Sequence, residues 1–162
     1  MGIRLPLQTI ATLVDTGNVG AGSVAGGSAY NFYLPQDTDN AVLKLTASIS
    51  GGVSAVVQTT DDGGTTWYDV SRTSVISNAN NANAEWLTLP VIGVPERSQK
   101  TFSGSILGGT VGNAAASTLG QGQNSGMPIL GTLNRVFFIY SATVTASSLV
   151  QAQIKVNSQT NR

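Results

Sequence analysis

VSAVVQTTDDGGTTWYDV, residues 53–70, is the stretch whose reading decides the fold. Two alternating runs flank Asp61-Asp62-Gly63-Gly64, a turn signal between strands. In the first run Val53, Ala55 and Val57 share one face, and Ser54, Val56 and Gln58 the other. In the second, Thr66, Tyr68 and Val70 alternate with Thr65, Trp67 and Asp69. Period two on both sides of a Gly-Gly turn predicts a β-hairpin. Glycine reaches positive φ without steric cost, and an Asp carboxylate accepts backbone N–H groups inside a turn.

Outward from the hairpin the alternation continues. Residues 41–50 place Leu43, Leu45, Ala47 and Ile49 on one face and Val42, Lys44, Thr46 and Ser48 on the other, before Gly51-Gly52 turns the chain. Residues 29–34 read as a strand with Tyr30, Phe32 and Leu34 inward, and residues 7–14 as one with Ile10, Thr12 and Val14 on a shared face. On the other side, residues 85–91 form a strand in which Trp86 packs on the sheet and Pro90 dictates an edge or an end. A weaker strand is predicted over 101–107. Residues 135–145 alternate strictly, but Phe137 and Ile139 make both faces apolar, so that strand is central or covered by a neighbouring chain. Residues 149–157 turn Val150, Ala152, Ile154 and Val156 inward. About eight strands and no helix predict an all-β fold: one domain over 1–162, an antiparallel β-sandwich of jelly-roll type with long irregular loops. Residues 93–132 lack a period and read as an extended arm lying against a partner subunit.

Composition narrows the function. With 162 residues the chain is long enough to bury a core. Its net charge is zero and only 10% of residues are charged, so no basic excess draws it to nucleic acid or to an acidic membrane. So little charge suits life in an assembly better than life as a free monomer. Without cysteine there is no disulfide or thiolate chemistry, and without histidine the usual general base and the commonest metal ligand are missing. No continuous apolar run marks a signal peptide or a membrane span, which predicts synthesis in a cytoplasm without secretion. Pro6 stands where a myristoylation motif needs Ser or Thr.

Candidate chemistry is sparse. Asp61, Asp62 and Asp69 could offer oxygens to a cation, but Asp is a standard turn residue, and the turn reading is preferred. Glu85 and Glu96 are the only glutamates and lie in no recognisable acid–base context. The glycine-rich run 17–28 has neither phosphate-loop spacing. Trp67, Tyr68 and Trp86 could stack on sugars, though in a chain with 6% aromatics core packing is the preferred reading. The expectation is no catalytic residue, no metal and no cofactor.

Thr60, Asp62, Gly64, Thr66 and Trp67 stand at the spacing [Ser/Thr]-x-Asp-x-Gly-x-Thr-Trp. This resembles the Asp-box of sialidases and related β-propellers, which in that family is a structural hairpin remote from the catalytic pocket. A propeller needs several similar blades, and no second copy is found. The same hairpin, DDGGTTWYDV, also resembles one common in virion proteins of tailed bacteriophages, which fits the size and composition better. That resemblance implies a virion structural protein, first of all a capsid decoration (cement) protein that stabilises the head. The alternatives are a tail, neck or baseplate component and, in another class, a carbohydrate-binding adhesin module using Trp67 and Trp86. The implied partners are the major capsid protein or other virion proteins and further copies of the chain, with a trimer preferred. Phe137, Ile139, Leu119, Met127, Ile129 and Leu130 are the expected contacts.

Overall fold

A computed structural model describes residues 6–15, 29–49, 51–77, 84–91, 109–111, 114–123, 130–141 and 149–158. These form ten strands and no helix: β1 (Gln8–Asp15), β2 (Tyr30–Tyr33), β3 (Thr38–Ser48), β4 (Val53–Thr59), β5 (Tyr68–Arg72), β6 (Ala84–Leu89), β7 (Gly109–Val111), β8 (Ala114–Ala116), β9 (Leu133–Tyr140) and β10 (Leu149–Ser158). The first sheet has the order β1-β10-β3-β6 and the second β2-β9-β4-β5, with β7 and β8 as a separate two-stranded ribbon. Every pairing is antiparallel.

The two large sheets make a β-sandwich because each turns one apolar face toward the other. Leu43, Leu45, Ala152 and Ile154 of the first sheet share a buried cluster with Phe32, Val53, Val57, Val136 and Phe138 of the second. Burying a Leu, Ile or Phe side chain stabilises the fold by about 1.5–3 kcal/mol, so this seam is the main source of stability. The inward residues of β2, β3, β4, β9 and β10 are those that the alternation predicts.

Three pairings carry bulges: one sits at the end of β10, between Asn157 and Ser158, and the other two change which residues face inward. In β1 the register shifts between Thr9 and Ala11, which brings Ile10 and Leu13, three apart, toward the core. The expected shared face of Ile10, Thr12 and Val14 is therefore corrected: Thr12 and Val14 are exposed. In β5 the bulge sets Val70 and Ser71 against the single residue Val57, so that Asp69 and Arg72 stand opposite Gln58 and Val56.

β9 lies between β2 and β4, so its two apolar faces belong to a central strand. It ends at Tyr140; the remainder of the predicted strand lies partly outside the described residues, and the strand predicted over 101–107 lies wholly outside them. β6 is the edge of its sheet, with Pro90 directly after its last residue. Trp86 does not pack into the sandwich; it is 53% exposed.

Candidate functional site

The connection between β4 and β5 is wider than a two-residue turn. Pairing stops at Thr59 and Tyr68, leaving residues 60–67 as a loop with its own hydrogen bonds. The Thr60 hydroxyl oxygen accepts the N–H of Gly64 at 3.0 Å and itself donates to Asp62 Oδ1 at 2.8 Å. Asp62 Oδ1 also accepts the N–H groups of Thr65 at 2.9 Å and Thr66 at 2.8 Å. The Thr66 hydroxyl and N–H, helped by Thr60 and Thr65, hold the Asp62 carboxyl far below the usual carboxylate range. Gly63 and Gly64 have φ of 75° and 104°, which explains both glycines. Asp62 is thus occupied by its own loop. Asp61 lies beside Tyr68 and raises the pKa of its hydroxyl.

The third acid of the presumed turn cluster is elsewhere. Asp69 ends a row that crosses the outer face of the second sheet, Asn31–Arg135–Gln58–Asp69, one residue from each strand in register. Arg135 Nε donates to Gln58 Oε1 at 2.6 Å, and Gln58 Nε2 donates to Asp69 Oδ1 at 2.7 Å. The Thr118 N–H and hydroxyl both donate to Asp69 Oδ2 at 2.8 Å. The Arg135 guanidinium also lies 4.2 Å from the centre of the Trp67 ring, which is buried. Burial lowers the Arg135 pKa to about 10 while the Asp69 charge acts the other way, so the guanidinium is charged at neutral pH.

The next row, Phe137–Val56–Arg72, is treated alike. Phe137 and Val56 form a second buried apolar cluster. Arg72 donates from Nε to Ser54 Oγ at 3.0 Å and from Nη1 to the Leu119 carbonyl at 2.8 Å. Backbone bonds from Arg72 to Gln123 and from Gly122 to Thr73 extend the β5 edge. Residues 117–123 therefore lie on their own sheet. Within the stretch expected to form an arm, this segment is bound in cis by the Asp69 carboxylate and the Arg72 guanidinium.

The outer face of the first sheet is open. Its central row is Thr12–Gln153–Lys44–Trp86, again one residue per strand. Lys44 Nζ stands 5.2 Å from the centre of the Trp86 ring. One adjacent row is Val14–Gln151–Thr46–Ala84, and the other contains Lys155, Val42 and Thr88. Beside the Lys44 ammonium, Thr46, Ser48, Ala84 and Leu149 line a shallow cleft of about 290 Å³.

The residues expected at an interface are thus distributed differently. Leu130 belongs to the core at 1% exposure, and Phe137 and Leu119 are buried within the chain. Ile139 is partly buried against Phe137. Met127 and Ile129 lie outside the described residues. Among the described residues no group of three or more acidic side chains is placed to hold a metal ion, and no helix is long and apolar enough to cross a membrane. Gln58, Arg72, Thr118 and Arg135 escaped the sequence reading. The available signal was a Gln inside a run of valines and an Arg opening an aromatic strand. No family model, curated protein or solved structure matches this chain.

Proposed function

We propose that this protein is a virion structural protein of a tailed bacteriophage, and within that class a capsid decoration protein. The observation that carries the reading is the strand order. β10 lies between β1 and β3, while β9 lies between β2 and β4. Successive strands cross between the sheets, with only β4 and β5 joined within one. This interleaving is what a jelly roll of two Greek keys requires, an architecture used in viral capsids and lectins. The link from fold to function is analogy, joined to the composition and to the DDGGTTW hairpin.

One end of the sandwich offers a way to engage a lattice. Leu34, Pro35, Gln36, Thr38, Val91 and Leu130 line a cleft of about 140 Å³. The Thr38 hydroxyl is buried beside it and has no hydrogen-bond partner among the described residues. A small cleft with both apolar and polar walls suits a side chain inserted by a neighbouring capsid subunit. Several such weak contacts, made at once by an oligomer of the chain, raise occupancy through effective concentration. Trimers match threefold joints of a capsid.

Purified particles test the reading by quantitative mass spectrometry. Hundreds of copies per particle are expected; a dozen or fewer would move the protein to the neck or tail, and none would end the virion reading. Light scattering of the purified chain tests the oligomer, with a trimer expected.

A further inference from the structure

We propose that the outer face of the first sheet is a binding platform for an acidic polysaccharide, with the Trp86 ring as its stacking surface and Lys44 as its carboxylate partner. This goes beyond a lattice role and does not depend on it.

The contrast between the two tryptophans is the starting point. Trp67 is buried under Arg135, whereas Trp86 is 53% exposed on an edge strand. Apart from its contact with Lys44, so large an apolar ring left in water adds little to the fold, because the inward β6 positions Leu87 and Leu89 already pack on the core. Stacking on the apolar face of a sugar ring uses that exposure.

The residues around Trp86 extend the match. Gln153, Gln151, Thr12, Thr46 and Thr88 present amides and hydroxyls, the groups that pair with sugar hydroxyls. Adjacent strands stand about 4.8 Å apart, so a four-strand row spans roughly 14 Å, room for a short run of sugar units. Charge selects the kind of sugar. The three rows contain Lys44 and Lys155 and no carboxylate. Lys155 is tied to the Thr9 hydroxyl at 2.7 Å, while Lys44 borders the cleft toward Leu149. Lys44 Nζ now lies over the Trp86 ring; a uronate stacking there would displace the ammonium and give it a carboxylate in place of the ring.

The test is affinity electrophoresis of the full chain through gels containing polygalacturonate, hyaluronate or neutral dextran, with tryptophan fluorescence as a second readout. Retardation by an acidic polymer is expected, with at least tenfold weaker retardation by dextran and a blue shift of the emission on binding. Trp86→Ala should weaken binding more than tenfold and remove the shift, while the melting temperature falls by no more than about 4 °C. Lys44→Met should reduce the preference for acidic over neutral polymer and leave the stacking shift in place. Failure of every polymer to retard the chain would overturn the proposal. So would full binding by Trp86→Ala, or an equal affinity for dextran. If no polymer bound the parent chain and Trp86→Ala lowered occupancy on purified particles, the face would be a protein contact, and the glycan assignment would fall.

Discussion

The two outer faces of the sandwich carry rows of the same length but opposite fate. Asn31–Arg135–Gln58–Asp69 crosses the second sheet and is closed over by residues 117–123 through Asp69 and Thr118. Thr12–Gln153–Lys44–Trp86 crosses the first sheet and meets water. Both rows have a cation near an aromatic ring, Arg135 with Trp67 and Lys44 with Trp86. The planar guanidinium accepts burial because it stacks on the ring and is hydrogen-bonded at once, whereas the ammonium needs its hydration. The first row contributes to stability and the second is free for binding. Substitutions on the two faces should therefore separate cleanly in size.

The largest effect is expected at Asp69. Asp69→Ala removes the acceptor of Gln58 Nε2 and of both Thr118 donors, and strips the buried Arg135 and the half-buried Arg72 of the counter-charge of Asp69. Orphaned buried donors and an uncompensated charge cost about 3–5 kcal/mol together. Urea denaturation measures this, and a loss below about 1 kcal/mol would mean that the covering segment is held by other contacts. Trp67→Ala is expected in the same range, about 3–5 kcal/mol, because it opens a large cavity under Arg135. For the same reason, deleting residues 117–123 should destabilise the sandwich itself.

Much of this architecture was legible in the sequence, and the limits have physical causes. Alternation identified the inward faces of β2, β3, β4, β9 and β10, because a two-residue period with one dry face leaves little freedom. The loop chemistry of Thr60, Asp62 and Gly64 was legible because its bonds are local. The bulges were not, since a single inserted residue changes the phase without changing composition. That hid the outward placement of Arg72, and with it part of the network that folds residues 117–123 onto their own sheet. Long polar runs look alike in sequence whether they reach a neighbour or bind back in cis.

Next in size is the loop that leads into the buried row. Gly64 has φ of 104°, and a Cβ there would also touch the Trp67 ring at 3.5 Å. Gly64→Val is expected to cost about 1–3 kcal/mol through backbone strain, read as a lower melting temperature. An unchanged melting temperature would show that residues 60–67 rearrange without disturbing Trp67.

A smaller effect depends on pH. The Asp62 pKa is lower in the folded chain than its ordinary value of 3.8. Its contribution is therefore complete above that value and lost as pH falls through it toward the lower folded value. Asp62→Asn should reduce stability near neutral pH, and the gap from the parent should close progressively below about pH 4. Melting curves across pH 2 to 7 test this, and a gap that stays constant would mean that the charge on Asp62 plays no part.

The smallest change is expected at Trp86, and it decides whether the two faces differ in kind. Its ring is held by the ammonium of Lys44, at a solvent-facing edge. An exposed cation–π contact contributes about 0.5–1 kcal/mol. A cross-strand pair contributes about 0.2–1 kcal/mol, and the two overlap here because Lys44 is both partners. Trp86→Ala should therefore cost no more than about 1 kcal/mol, a drop of roughly 2–4 °C for a chain of this size. Trp67→Ala, the same substitution on the other face, should cost several times as much. A loss above about 2 kcal/mol at Trp86 would mean that its ring is anchored as core residues are. The open face would then be a second structural surface, and the reason to assign it a ligand would disappear.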